Sequence, residues 1–266
     1  MRIGIAGCAG RMGRMLIQTV IETPGTSLVG GIERAGHPAL GSDLGALSGV
    51  PPLGVLAGDD AAALFSNCDV VIDFTSPSAV VEHAGLAHRH ATALVVGTTG
   101  LGPAHREALA DAASRAPVVV AANMSVGVNL LLGLTRKVAA ILGPDYDIEI
   151  VEMHHRHKVD APSGTALALG EAASSGRGVT LDEAGVRVRD GQTGARPQGA
   201  IGFATLRGGD VIGDHTVIFA GDGERLELTH RASSRAVFAK GAVRAALWCE
   251  GRQPGLYSMR DVLGLD

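Results

Sequence analysis

Aromatic residues are almost missing from this chain. One Trp, two Tyr and five Phe make up 3% of 266 residues, although 46% are hydrophobic. Its core must therefore be mainly aliphatic, and the length suffices for one large domain or two ordinary ones. Lysine is equally scarce: Lys and Arg total 23, and only Lys137, Lys158 and Lys240 are lysines. Three well-separated cysteines, Cys8, Cys68 and Cys249, do not make a disulfide framework and suit a reducing cytoplasm. The opening "MRIGIAG" lacks a basic region, apolar stretch and cleavage site, so no signal peptide is expected. No run of about eighteen apolar residues stands out, so no membrane span is expected. A formal charge of −4 argues against nucleic acid as the main partner. Neither a repeat nor a low-complexity block is visible.

What is present begins with "RIGIAG" at 2–7, a β-rich run, followed by Met12, Met15, Leu16 and Val20 at helical spacing. Gly7, Gly10 and Gly13 thus fall where a strand turns into a helix. A dinucleotide fingerprint needs that context: a tight turn, a backbone close to the pyrophosphate, and a helix N-terminus facing its charge. The spacing is G-x-x-G-x-x-G, with Ala9 where the usual second glycine stands. A second strand, "SLVGGIER", ends at Glu33, placed to accept hydrogen bonds from an adenosine ribose. Arg34, with Arg11 at the turn, could instead meet a 2′-phosphate, so NADH and NADPH both remain open. Apolar runs at 68–75, 92–100 and 116–124 follow, separated by helical stretches at about 77–90 and 102–115. Continuous apolar strands alternating with helices predict a parallel sheet covered on both faces. Their polar ends, Thr75-Ser76, Gly97-Thr98-Thr99 and Ala121-Ala122-Asn123, are candidate cofactor contacts.

Beyond a long apolar helix at about 125–142 the pattern changes. "YDIEIVEM" alternates as a half-buried strand, then shifts phase at Val151 and Met153 as though leaving the core. Strands at about 185–190, 201–207, 211–220 and 224–230 predict a mostly antiparallel sheet with few helices, and a helix at 233–250 returns the chain to the first domain. At the phase shift stands "HHRHK", His154 to Lys158. A metal, an anionic substrate and a plain basic loop are the candidates for this cluster. Zinc is disfavoured: His154 and His155 point to opposite sides of a strand, and Arg156 and Lys158 add charge where a cation would sit. The loop reading leaves unexplained why Ser163, Gly164 and Thr165 open an Ala-rich helix, whose free N–H groups make an anion site. Cations leading into such a helix start suggest a small dicarboxylate, with a histidine to supply a proton.

"IAGCAGRMGR", "VIDFTSP", "VVGTTG", "AANMSVGVN", "EMHHRHKVDAPSGTA", "IGFATLRGGD" and "GDHTVIFAGDGERLELTHRASSR" together resemble the 4-hydroxy-tetrahydrodipicolinate (dihydrodipicolinate) reductase family of lysine and diaminopimelate biosynthesis. The resemblance covers essentially the whole chain. It implies an α/β protein: a Rossmann-like parallel-sheet cofactor domain over 1–125 and 236–266, and an α+β substrate-binding and tetramerisation domain over 126–235. It also implies a homotetramer, NADH or NADPH as reductant, and a cyclic imine dicarboxylate as substrate. By carry-over, Gly7, Cys8, Ala9, Gly10, Arg11 and Met12 hold the pyrophosphate, and Glu33 and Arg34 the ribose. Gly97, Thr98 and Thr99, with Ala121, Ala122, Asn123 and Met124, line the nicotinamide side. His154 and Lys158 match the proton-handling residues; His155, Lys158, Ser163, Gly164 and Thr165 fall in the substrate-binding stretch, and no metal is implied. Arg156 and His157 are expected to support the site from behind. Met124 departs from an aromatic common beside the nicotinamide.

Overall fold

The structure is a computed structural model that describes residues 1–265. The chain forms two compact units, Met1–Val126 with Arg235–Gly264, and Gly127–Ser234 with Leu265. In chain order the first unit contains β1 (Arg2–Ala6), α1 (Arg11–Glu22), β2 (Ser27–Ile32), α2 (Leu44–Ser48), β3 (Ala57–Gly58), α3 (Ala61–Asn67), β4 (Val70–Asp73), α4 (Pro77–His90), β5 (Ala93–Val96), α5 (Pro103–Ala112) and β6 (Pro117–Val120). The second contains α6 (Val126–Leu142), β7 (Asp147–His154), α7 (Gly164–Arg177), α8 (Leu181–Ala184), β8 (Gly185–Val186), β9 (Ile201–Arg207), β10 (Gly213–Gly221) and β11 (Glu224–Ala232). The chain then re-enters the first unit with α9 (Ala236–Trp248), β12 (Gly255–Tyr257) and α10 (Met259–Leu263).

The first sheet runs β12-β6-β5-β4-β1-β2-β3, and every neighbouring pair is parallel. Side-chain alternation explains why its strands read as unbroken apolar runs. Ile3, Ile5, Val70, Ile72 and Val95 pack into a core with α1 and α9, whereas Val71, Leu94, Val96 and Val118 pack into another with α3, α4 and α5. Both faces are thus dry, as a doubly wound sheet requires. The strand order departs in opposite directions on either side of β1 and β4, so the crevice expected of such sheets opens beyond their carboxyl ends.

The second sheet is mixed, in order β11-β10-β7-β9-β8. Antiparallel pairing joins β10 to β11 and β7, while β9 pairs in parallel with β7 and β8. One expectation fails here. β7 does not change phase: Ile148, Ile150, Glu152 and His154 are all buried, and Glu149, Val151 and Met153 are half-buried throughout. The strand stays in the core, and the core itself turns polar. Ile148 lies across from Phe219, Ile150 from Val217, and then Glu152 from His215.

The segment Val126–Asp145 is long and apolar enough to cross a bilayer by length and composition alone, a test that core helices also pass, and 28% of an eighteen-residue apolar stretch within it is buried. Arg136 and Lys137 interrupt its apolar residues mid-helix, which is why no unbroken run stands out in the sequence.

Candidate functional site

At the end of β1 the chain makes the turn that its glycines demand. Gly7 adopts φ +80°, a conformation L side chains rarely tolerate. A Cβ at Gly13 would lie 2.1 Å from the Gly7 carbonyl oxygen, so α1 can pack this closely only without a side chain there. Gly10 precedes α1 and offers no side-chain cap, the kind of helix start whose N–H groups can receive an anion's oxygens. Glu33 faces this loop, and its Oε1 accepts from the Ala9 N–H at 2.9 Å. A cavity of about 560 Å³ opens here, bordered by Gly7, Gly10, Glu33, Arg34, Thr75 and His83 among others. An uncapped helix start beside a carboxylate-lined cavity fits a dinucleotide's pyrophosphate and ribose.

The other expected cofactor residues are distributed differently. Arg11, Thr99 and Ala122 are exposed, whereas Met12, Gly97, Ala121 and Asn123 are half-buried. Cys8 is fully buried, and burial first, then the nearby Glu33 charge, pushes its thiol up to about 12. Met124 is also packed in the core, 1% exposed. Neither side chain is open to a ligand, so these two positions can offer only backbone. Thr98 is buried with its hydroxyl satisfied, donating to Asp73 Oδ1 at 3.2 Å and accepting from the Thr75 N–H at 3.0 Å. Asp73 ends β4 fully buried, with Oδ2 2.6 Å from His83 Nδ1. This carboxylate fastens the strand ends beside the cavity.

In the second unit, the polar end of β7 gathers groups from three further segments. Glu152, 1% exposed, has Oε2 2.6 Å from His154 Nδ1 and 2.8 Å from Arg207 Nη1. Its Oε1 accepts from Arg207 Nη2 at 2.9 Å and from the Ser163 N–H at 3.0 Å. Burial pushes this carboxyl up, but the hydrogen bonds from Arg207, His154 and Ser163 outweigh burial and hold it below its ordinary value. Ser163 Oγ caps α7 by accepting from the Ala166 N–H, and lies 3.1 Å from His215 Nε2. The His215 ring stands edge-on to His154, centroids 5.0 Å apart. Burial, then the neighbouring His154, pushes His215 down to about 4, so it is neutral near pH 7.

His154, Ser163 and the start of α7 are therefore brought together. Lys158 Nζ instead pairs with Asp160 Oδ1 at 2.7 Å, and its backbone N–H closes a turn onto the His155 carbonyl. His155 is half-buried, 6.3 Å from the His157 ring. Arg156 and His157 are exposed, not behind the site, because the chain leaves the sheet directly after His154. Part of the cluster's charge is thus met by Asp160.

A model described as the C-terminus of dihydrodipicolinate reductase matches residues 127–263, and its N-terminal counterpart matches 1–124. The chain belongs to the dihydrodipicolinate reductase family. It is 57% identical over its full length to 4-hydroxy-tetrahydrodipicolinate reductases of Methylocella silvestris and Brucella abortus, covering 97% and 100% of those chains. Among solved structures it superposes on a dipicolinate-bound dihydrodipicolinate reductase from Paenisporosarcina sp. TG-14, with a TM-score of 0.78 at 24% identity and 97% of each chain covered. An amine dehydrogenase from Mycobacterium smegmatis shares the fold more distantly, at TM-score 0.61 and 14% identity over 97% and 95% of the two chains.

For a member of this reductase family, the residues that sequence reasoning missed are Glu152, Arg207 and His215 in the second unit and Asp73 and His83 in the first. Glu152 had a readable signal, since it continues the spacing of Ile148 and Ile150. His215 likewise continues Val217 and Phe219. A polar residue in step with a buried face deserves the same scrutiny as a motif.

Proposed function

We propose that the two units divide the family reaction between them: 1–125 with 236–266 binds the dinucleotide, and 126–235 binds substrate and mediates oligomerisation. The reaction itself is reduction of 4-hydroxy-tetrahydrodipicolinate to tetrahydrodipicolinate in lysine and diaminopimelate biosynthesis, with NADH or NADPH. Bound NADH or NADPH supplies the hydride, which goes to ring C4 with loss of the 4-hydroxyl as water. The loop from Gly7 to Met12 and the start of α1 hold the pyrophosphate, while Glu33 accepts from the ribose hydroxyls. Arg34, exposed beside it, meets a 2′-phosphate when NADPH is used. Gly97 to Thr99 and Ala121 to Met124 serve the nicotinamide end, with Cys8 and Met124 contributing backbone alone.

The observation that carries the catalytic reading is the buried Glu152–His154 pair beside the Ser163-capped start of α7. N–H groups at Gly164 and Thr165, with His155 and Lys158, bind the substrate carboxylates and stabilise negative charge developing in the ring. His154 is the proton donor to the product enamine, and Lys158 is the second candidate for that role. The open face of the mixed sheet, with half-buried Val151 and Met153 and exposed Ala204 and Leu206, supports assembly into a homotetramer through this unit. Three buried free thiols suit the cytoplasm. The test is loss of reduced-nicotinamide absorbance, with substrate made in situ from pyruvate and aspartate semialdehyde by the preceding synthase. Rapid enzyme-dependent oxidation supports the reading; no oxidation with a working synthase refutes it.

A further inference from the structure

We infer that Glu152 is a positioning residue for the reduction: it fixes the His154 ring with a proton on Nδ1, so that His154 delivers its other proton from Nε2. The inference rests on His154 being the donor. Its basis is which partners of Glu152 can change roles. Arg207 carries only donors and keeps its protons, and the Ser163 backbone N–H is also a fixed donor. With three donor contacts of that kind on its two oxygens, the side chain is held as an acceptor. His154 Nδ1, 2.6 Å from Oε2, must then donate. The opposite ring edge faces Gly213, where a Cβ would lie 3.0 Å from Nε2, so any side chain at 213 would crowd that nitrogen.

The same carboxylate ties the donor to the substrate's binding groups. Through the Ser163 N–H it holds the residue that caps α7, and Arg207 also donates to the Asp160 carbonyl at 2.7 Å. One buried group thereby links β7 to the 156–162 turn and to the start of α7. The proton balance is simple. Before transfer His154 is an imidazolium whose charge faces the Glu152 carboxylate. The Nε2–H proton passes to the enamine carbon, the N–H electron pair remains on Nε2, and a neutral ring is left with Nδ1–H still bonded to Glu152. No ring flip is needed at any stage.

In Glu152→Gln the amide oxygen should occupy the Oε1 place, where two fixed donors converge, and the amide nitrogen should face His154 Nδ1. The ring must then accept through Nδ1 and carry its proton on Nε2 in the neutral state. Turnover should fall by roughly 10²-fold, as expected for a weakened general acid. The same substitution placed in a His154→Ala background should lower kcat no further. Nitrogen-15 NMR of labelled histidine, assigned by loss of the His154 signal in His154→Ala, should show Nδ1–H in the wild-type protein and Nε2–H in Glu152→Gln. A neutral Nε2–H tautomer in the wild type overturns the inference even if the variant does not fold. Equal kcat losses from Glu152→Gln in both backgrounds overturn it as well. If His154→Ala alone keeps wild-type turnover, the donor assignment fails instead, whatever tautomer is found.

Discussion

Asp73–His83 in the parallel sheet and Glu152–His154 in the mixed sheet are buried pairs of equal length, each 2.6 Å from Nδ1 to a carboxylate oxygen. Their surroundings separate them. The remaining partners of Asp73 are the Thr75 N–H and hydroxyl and the Thr98 hydroxyl, neutral groups from neighbouring strand ends. Glu152 is instead gripped by the Arg207 guanidinium and by the backbone N–H of Ser163, the cap of α7. The first arrangement fastens loops; the second, in the reading proposed above, balances the charge its histidine carries as proton donor. A short histidine–carboxylate distance therefore does not tell the two pairs apart, whereas the charge of the third partner does.

Exchanging each carboxylate for its amide should break this comparison most visibly. Glu152→Gln should cost roughly 10²-fold in kcat. Asp73→Asn should act mainly on stability, by about 1–3 kcal/mol, because one buried donor or acceptor loses its partner. Steady-state kinetics beside denaturant unfolding would show it, and a larger kcat loss in the Asp73 variant would reverse the assignment.

Next in size is the effect of acid. The folded pKa of His215, about 4, is below its ordinary 6.5, so the unfolded chain takes up a proton more readily. The stability carried by its neutral burial is complete above pH 6.5 and is lost as pH falls from there towards 4. The loss amounts to at most about 3 kcal/mol, and to about 2 kcal/mol near pH 5. A His215→Phe variant should lose less stability than the wild type between neutral pH and about pH 5, as judged by urea midpoints. Parallel losses would show that His215 does not set this limb.

Smallest is the cofactor contact. Glu33→Ala should weaken NADH by roughly tenfold, the worth of a charge-assisted hydrogen bond to ribose, and NADPH by less. Fluorescence titration of both cofactors would check it, and equal losses would contradict the ribose role.

Much of the first unit could be read from sequence because its signals are local. Pro77 at the first turn and an amphipathic run set α4 at Pro77–His90, and consecutive valines marked strands dry on both faces. Glycine spacing similarly marked the turn at Gly7. What could not be read was the direction of side chains next to a motif. Cys8 and Met124 lie in the proposed cofactor-binding stretches, yet both turn into the core. In the second unit His154 and Ser163 stood out in the sequence as candidates, but the groups that contact them did not. His215 and Arg207 reach Glu152 and His154 only through strand pairing between segments far apart in sequence. The apparent phase shift at Val151 arose from treating burial as equivalent to apolarity.

The central claim is that the buried polar end of β7 delivers the proton of the reduction. Turnover of His154→Ala and Lys158→Ala, with NADH and in situ substrate, tests it most directly. The account predicts a fall of roughly 10²–10⁴-fold for His154→Ala with cofactor affinity unchanged. Near-normal turnover for His154→Ala, with the loss confined to Lys158→Ala or absent from both, would contradict it.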